Sequence, residues 1–295
     1  MIDRIRRFLQ WLLFVNELTP TTPIPRTTES VHVLSILVKK NQRISARNFH
    51  EFLAQEFMPK LWRQHEAWGA TSMEILHDAS WGGVLCLPMQ LTRCYSFARM
   101  LCWIYNIIPP PPYTTRFGRL YDAVIEISFA RFPETFEQLS ALLRGAREIG
   151  QHSAIASQRQ ATVYQGPSTG SVANRIRLCF LVRRPKNTTR EACQAYWSTH
   201  HADLVLRNMD YLELTRYRQI FAIAKDKDWY DDTFDGMACA EKPALLIAIW
   251  QMLKFNSLRF NNTLVLDELN FTVNTPALLL KSSAQWPGAS TSSPS

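Results

Sequence analysis

The sequence predicts an α+β fold made of two copies of one β-α-β-β-α-β unit, and three observations carry that reading. The first is an internal repeat. The stretch "VHVLSILVKKNQRISARNFHEFLAQEFMPKL" from Val31 overlies "RIRLCFLVRRPKNTTREACQAYWSTHHADLV" from Arg175 without a gap, at a constant spacing of 144 positions (175 minus 31). The match is by residue type more than by identity. The second is the order of signals inside the repeat. In each copy a β-rich run, residues 34–38 or 178–182, leads to a basic pair, Lys39-Lys40 or Arg183-Arg184. A polar turn follows, then Ser45 or Thr189, whose hydroxyl can cap the free amides of a helix start. The third is what comes after that helix: a strand (72–77; 213–224), a second strand (from Leu120; from Phe234), a helix (134–147; 242–255) and a last short strand (162–165; 270–273).

That order is the ferredoxin-like split βαβ arrangement. One such unit covers one sheet face with helices and leaves the other face apolar and bare. Two units stacked through their bare faces bury both, so one chain can make the pairing internally. The expected architecture is a pseudo-dimeric α+β barrel. Residues 1–29 read as an amphipathic extension, 30–149 as the first unit with an insertion at 78–116, and 150–174 as a linker holding one strand. The second unit spans 175–280, and 281–295 read as a disordered tail.

Of the 295 residues, 46% are hydrophobic and 20% charged, the balance of a globular chain with a sizeable core. The net charge is +8, but the basic residues are scattered rather than massed, which argues for a small anionic ligand and against nucleic acid. Six cysteines show neither CxxC pairs nor zinc-ligand spacing with histidine, so no metal and no disulfide framework is expected and the cytoplasm is the default compartment. Arg4, Arg6 and Arg7 precede an apolar run at 9–15 that is too short to span a membrane. Residues 1–17 are therefore a candidate for packing on the protein itself or for weak membrane-surface contact. The insertion at 81–113 is apolar and cysteine-rich, is broken by Pro88 and closes on four prolines at 109–112. It reads as a lid, a partner contact or a stretch of no selected function.

The second copy holds adjacent histidines in "QAYWSTHHADLV". Neighbours on a helix point about 100° apart, so one faces inward and the other out. Steps of three and four from His201 meet Cys193, Trp197, Leu204 and Val205, whereas steps from His200 meet Tyr196, Asp203 and Arg207. His201 is the inward one. It is either a core histidine with one satisfied nitrogen or a proton-transfer group.

The second copy resembles the EthD-type proteins of the dimeric α+β barrel superfamily. The resemblance rests on Arg183-Arg184-Pro185, Tyr196-Trp197, His201-Ala202, Leu204-Val205, the stretch "LTRYRQ" at 214–219, Phe234-Asp235-Gly236, and "LDELNF" at 266–271. The first copy is similar to fungal polyketide-tailoring decarboxylases but departs at the critical place. Phe57 stands where the histidine belongs, followed by Met58-Pro59, and a phenyl ring moves no proton.

The resemblance implies a lyase of secondary metabolism that uses no cofactor. It acts on an aromatic or polyketide β-keto acid by decarboxylation or a related cyclisation or dehydration, in an apolar cleft between sheet and helices. On that reading His201 shuttles the proton, and Asp235 either orients His201 or opens a strand turn. Trp197 walls the cleft, and Arg216 takes the carboxylate. Tyr217 alternates to the other sheet face from Arg216, so at most one of the two lines the cavity. Two alternatives stand beside it. One is a non-catalytic binding or accessory protein that uses the apolar insertion as a partner surface; the other is haem-linked oxidation, which needs a histidine facing a wide cavity. A homodimer is compatible with each.

Overall fold

The structure is a computed structural model that describes residues 27–29, 32–79, 121–131, 144, 150–165, 175–207, 214–223, 234–244, 264, 267–268, 270–273 and 277–286. The amino-terminal extension, nearly all of the insertion, the bulk of the predicted helices at 134–147 and 242–255, and the chain beyond Trp286 lie outside these residues.

The repeat is reproduced element by element. After the short β1 (Thr27–Glu29), the first unit runs β2 (His32–Lys40), α1 (Ala46–Phe52), a π-helical turn (Leu53–Phe57), α2 (Met58–Trp62), α3 (His65–Trp68), β3 (Ala70–Asp78), β4 (Ala123–Phe129) and β5 (Gly150–Gln165). The second runs β6 (Ile176–Val182), α4 (Arg190–Tyr196), a π-helical turn (Trp197–His201), α5 (Ala202–Arg207), β7 (Arg216–Ala222), β8 (Gly236–Lys242) and β9 (Ala277–Trp286). Both helices start under the expected caps, Ser45 accepting from the Asn48 amide at 3.1 Å and Thr189 from the Ala192 amide at 3.2 Å. Even the widened π turn recurs at the spacing of 144, since Leu53–Phe57 maps onto Trp197–His201.

All strand pairs are antiparallel, in the order β1-β5-β2-β4-β3-β9-β6-β8-β7, and β7 pairs back onto β5. Each unit contributes four neighbouring strands, and closure joins β3 to β9 and β5 to β7. Two expectations about the last strands are corrected here. The strand expected at 162–165 begins at Gly150, because the stretch read as a linker pairs β2 through 150–157 and then β7 through 157–165. The strand expected at 270–273 lies instead at Ala277–Trp286, pairing β6 and β3, and so takes in the start of the expected tail. β5 is rich in Ser and Gln and β9 opens on the buried Leu278, Leu279 and Leu280, and ladder hydrogen bonds on two sides add to these apolar contacts in holding both extended.

Strand alternation sorts the side chains into three cores. Leu34, Ile36, Met73, Ile75, Ile125 and Ile127 meet α1 through Phe49, the π turn through Leu53 and Phe57, and α2 through Met58 and Leu61. Leu178, Tyr217, Phe221 and Ala240 meet α4 and α5 through Cys193, Trp197 and Val205. Between the sheets, Val33, Leu37, Val124, Ile155, Leu181, Ile220 and Met237 fill the barrel lumen. Among the described residues no helix is long and apolar enough to cross a membrane.

Two positions give tests of this packing. Gly236 has φ +157°, and a Cβ there would lie 2.3 Å from the Ile220 carbonyl oxygen and 2.7 Å from the Trp197 ring. Gly236→Ala should therefore lower stability by about 3 kcal/mol in denaturant unfolding. His77 packs on the His50 ring at 4.8 Å, and burial, then His50 and Lys281, lower its pKa to about 4 against the opposing pull of Asp78. The unfolded chain binds that proton at higher pH than the folded one, so stability is lost as pH falls from about 6.5 towards 4. In His77→Leu the fall over that window should be shallower when Tm is followed against pH.

Candidate functional site

The helix that carries the adjacent histidines ends its first half in the π turn, a feature that often marks functional positions. His201 is 6% exposed, whereas His200 lies outside and stacks on the Tyr196 ring at 4.9 Å. His201 Nδ1 donates to Asp267 Oδ2 at 2.8 Å. A carboxylate only accepts, so this contact sets the tautomer with the proton on Nδ1. Nε2 carries no hydrogen bond among the described residues. Asp267 is held from its other oxygen by the Tyr196 hydroxyl, donating at 2.7 Å, and Asn270 donates to that hydroxyl oxygen at 2.9 Å. Phe271 packs against both the His201 and Tyr196 rings. Cys193 donates to the Phe271 carbonyl at 3.1 Å, and burial, then Asp235, pushes its thiol up to about 12, which leaves it a packing group rather than a nucleophile.

Asp235 is not the carboxylate beside His201. It accepts from the Arg184 amide at 2.7 Å, from the Arg184 guanidinium, and from Arg190 Nε at 2.9 Å. The first unit shows what this arrangement does. Asp122 there accepts from the Lys40 amide at 2.9 Å and lies 3.9 Å from the Lys39 ammonium. The backbone contacts also match: the Asp122 amide donates to Val38 and the Asp235 amide to Val182, while Asp78 and Ala222 donate to the two aspartate carbonyls. A staple with the same backbone contacts stands in the unit whose histidine is replaced by Phe57, so it ties the basic turn to the next strand and opens that strand. The orienting carboxylate is Asp267, inside the "LDELNF" stretch that carried the family resemblance without a role attached to it.

The remaining candidates part company across β7. Tyr217 faces the helices, 3% exposed, with Trp197, which is fully buried against Phe221 and Gly236. Arg216 and Arg218 face the lumen, so Arg216 and His201 lie on opposite sides of one sheet and cannot meet the same small substrate. On the lumen side a cavity of about 520 Å³ opens between the units, lined by Glu74, Glu126, Arg177, Arg216, Arg218 and Glu241 among others. Arg177 meets three carboxylates, Glu74 at 3.0 Å and Glu126 and Glu241 at 3.1 Å. Arg218 meets Glu126 at 3.0 Å and Gln160 at 3.2 Å. Although burial opposes it, Arg218 and Arg177 hold the Glu126 carboxyl below its usual range. The sequence carried a signal for this cluster in single charged residues inside apolar strands, "RIRLCF", "AVIEISF" and "RYRQIF", at the alternation that faces the lumen.

Among the described residues no group of three or more His, Cys, Asp or Glu side chains could hold a metal ion. Among the described residues that line the lumen cavity there is no histidine.

No family model matches the chain, and no curated protein matches it by sequence. Solved structures match it by shape. An anthrone oxidase-like protein superposes with a TM-score of 0.51 at 8% identity, covering 88% of this chain and 95% of that one. A mutant chlorite dismutase from Candidatus Nitrospira defluvii, in complex with cyanide, gives 0.45 at 10% identity over 88% of this chain and 92% of that one. At such identities likeness speaks for the fold alone, and the first of these two carries the comparison. The chain folds as a pseudo-dimeric α+β barrel, completed within one polypeptide by two ferredoxin-like units.

Proposed function

We propose that the protein is a small-molecule-processing enzyme in which His201 moves a proton, without an organic cofactor, on an aromatic or polyketide β-keto acid. The observation that carries this reading is the 2.8 Å contact that fixes the buried His201 ring on Asp267 and leaves Nε2 without a partner among the described residues. One turn earlier, the Trp197 indole N–H is also buried with no acceptor among the described residues, and we assign it to the substrate oxygen on which charge develops. When a β-keto acid decarboxylates, the bond to the carboxyl carbon breaks and its electron pair passes to the ketone, giving an enolate. Nε2, having taken the proton of the substrate's carboxyl group before the bond breaks, delivers it to the enolate carbon, while Asp267 holds Nδ1 and stabilises the imidazolium formed in between. Cyclisation or dehydration of a polyketide makes nearly the same demands. The shared fold of an anthrone oxidase-like protein is in keeping with a flat aromatic substrate.

A non-catalytic binding protein is the second reading, favoured by the placement of the lumen cavity away from His201. Mass spectrometry of the full chain incubated with aromatic β-keto acids separates the two. His201→Phe copies the residue at position 57 of the first unit and should fold; turnover should drop by about 10²–10⁴-fold. Asp267→Asn should lower kcat in the same direction with KM little changed. Full turnover in His201→Phe, or none in the wild type, would remove the catalytic assignment.

A further inference from the structure

The ionic end of the lumen is a different matter from the His201 site, because it lies on the other face of β7 and is shared between the units. Among the described residues four arginines, Arg175, Arg177, Arg216 and Arg218, line the cavity against three glutamates, Glu74, Glu126 and Glu241, so its charges do not cancel. Arg177 is surrounded by Glu74, Glu126 and Glu241, and Arg218 is held by Glu126 and Gln160. The Arg216 side chain makes no hydrogen bond or ion pair among the described residues, and its Nε is buried without an acceptor. Burial, then the neighbouring Arg218, pulls its pKa below the usual arginine value. A cation so placed, beside a cavity of about 520 Å³, raises the free energy of the empty protein unless an anion joins it. The rim of that cavity is exposed at Thr71, Ser72 and Gln285, while Glu126, Gln160, Arg218 and Glu241 form a buried floor.

The repeat shows that this asymmetry is built by sequence. At the spacing of 144, Arg216 corresponds to Ser72 and Arg218 to Glu74. The arginines of one unit thus face short or acidic side chains of the other across the barrel mouth.

We propose that this mouth is a binding site for a small polar oxyanion, a carboxylate or a phosphate, held in a fork by the Arg216 guanidinium with the hydroxyls and amide of the rim around its body. The planar guanidinium pairs with two oxygens of such a group at once. The carboxylates already committed to Arg177 and Arg218 repel a second negative group, so a singly charged head suits the site better than a polyanion.

Thermal unfolding of the full chain at about pH 6 with inorganic phosphate, there mainly the monoanion, or with acetate, against sodium chloride at matched ionic strength, tests this. At a hundredfold excess over Kd, at least one oxyanion should raise Tm by about 5 °C beyond chloride. The arm that binds more tightly tells a phosphate site from a carboxylate site. Arg216→Gln should lose that rise and yet, without anion, melt no lower than the wild type, a combination that a merely structural arginine would not give. Ser72→Trp, which obstructs the exposed rim and keeps Arg216, should lose the rise too. His201→Phe should retain it, so failure here and failure of the catalytic reading are told apart. Equal rises with chloride, or an unchanged response in Arg216→Gln and Ser72→Trp, would overturn the proposal.

Discussion

The structure depends on one constraint: a four-stranded sheet with helices on a single side has a second apolar face that water cannot be allowed to cover. Val33, Leu37 and Val124 in one unit and Leu181, Ile220 and Met237 in the other are that face, and among the described residues they pack together in one core. Stacking alone would bury it, but the outer strands would remain as open edges able to recruit other chains. Pairing β3 with β9 and β5 with β7 removes those edges as well. The length of β5 follows from this, since it must serve β2 at one end and β7 at the other.

Closure also divides the chemistry. On every strand one set of side chains looks to the helices and the other to the lumen, so a residue's parity decides which environment it joins. His201, Trp197 and Tyr217 share the helix side, where the interior is apolar and the imidazole is held by a single carboxylate. Arg177, Arg216 and Arg218 share the lumen, where three glutamates hold Arg177 and Arg218. A buried ionic network is rarely a net gain over hydrophobic packing, whereas removing one member leaves its partners charged and dry. The cluster is better understood as specifying how the units meet, because Arg177 of the second unit bridges Glu74 and Glu126 of the first.

The two units have diverged in chemistry while keeping their scaffold. The capped helix, its π turn and the aspartate that staples the basic turn to the next strand are common to both. Phe57 and His201 sit at equivalent places in that shared frame. A helix able to present a histidine in one copy and a phenyl ring in the other, with no change of path, shows that the imidazole is not what maintains the fold.

Much of this was legible in the sequence because it is local or periodic. The spacing of 144, the caps at Ser45 and Thr189, the inward face of His201 and the opposition of Arg216 and Tyr217 all follow from helix and strand periods, which act within a few residues. The bounds of the last strands were not legible, because their hydrogen bonds come from segments far along the chain, from Gln165 pairing with Arg216 to Met73 pairing with Trp286, and much of β5 is polar. The carboxylate of the site escaped for the same reason. Asp235 and Asp267 are alike in type and both follow apolar residues, and 66 positions of chain lie between His201 and the one that reaches it. Periodicity assigns a residue to a face; only the closed barrel and the chain folded over it determine which group on that face it touches.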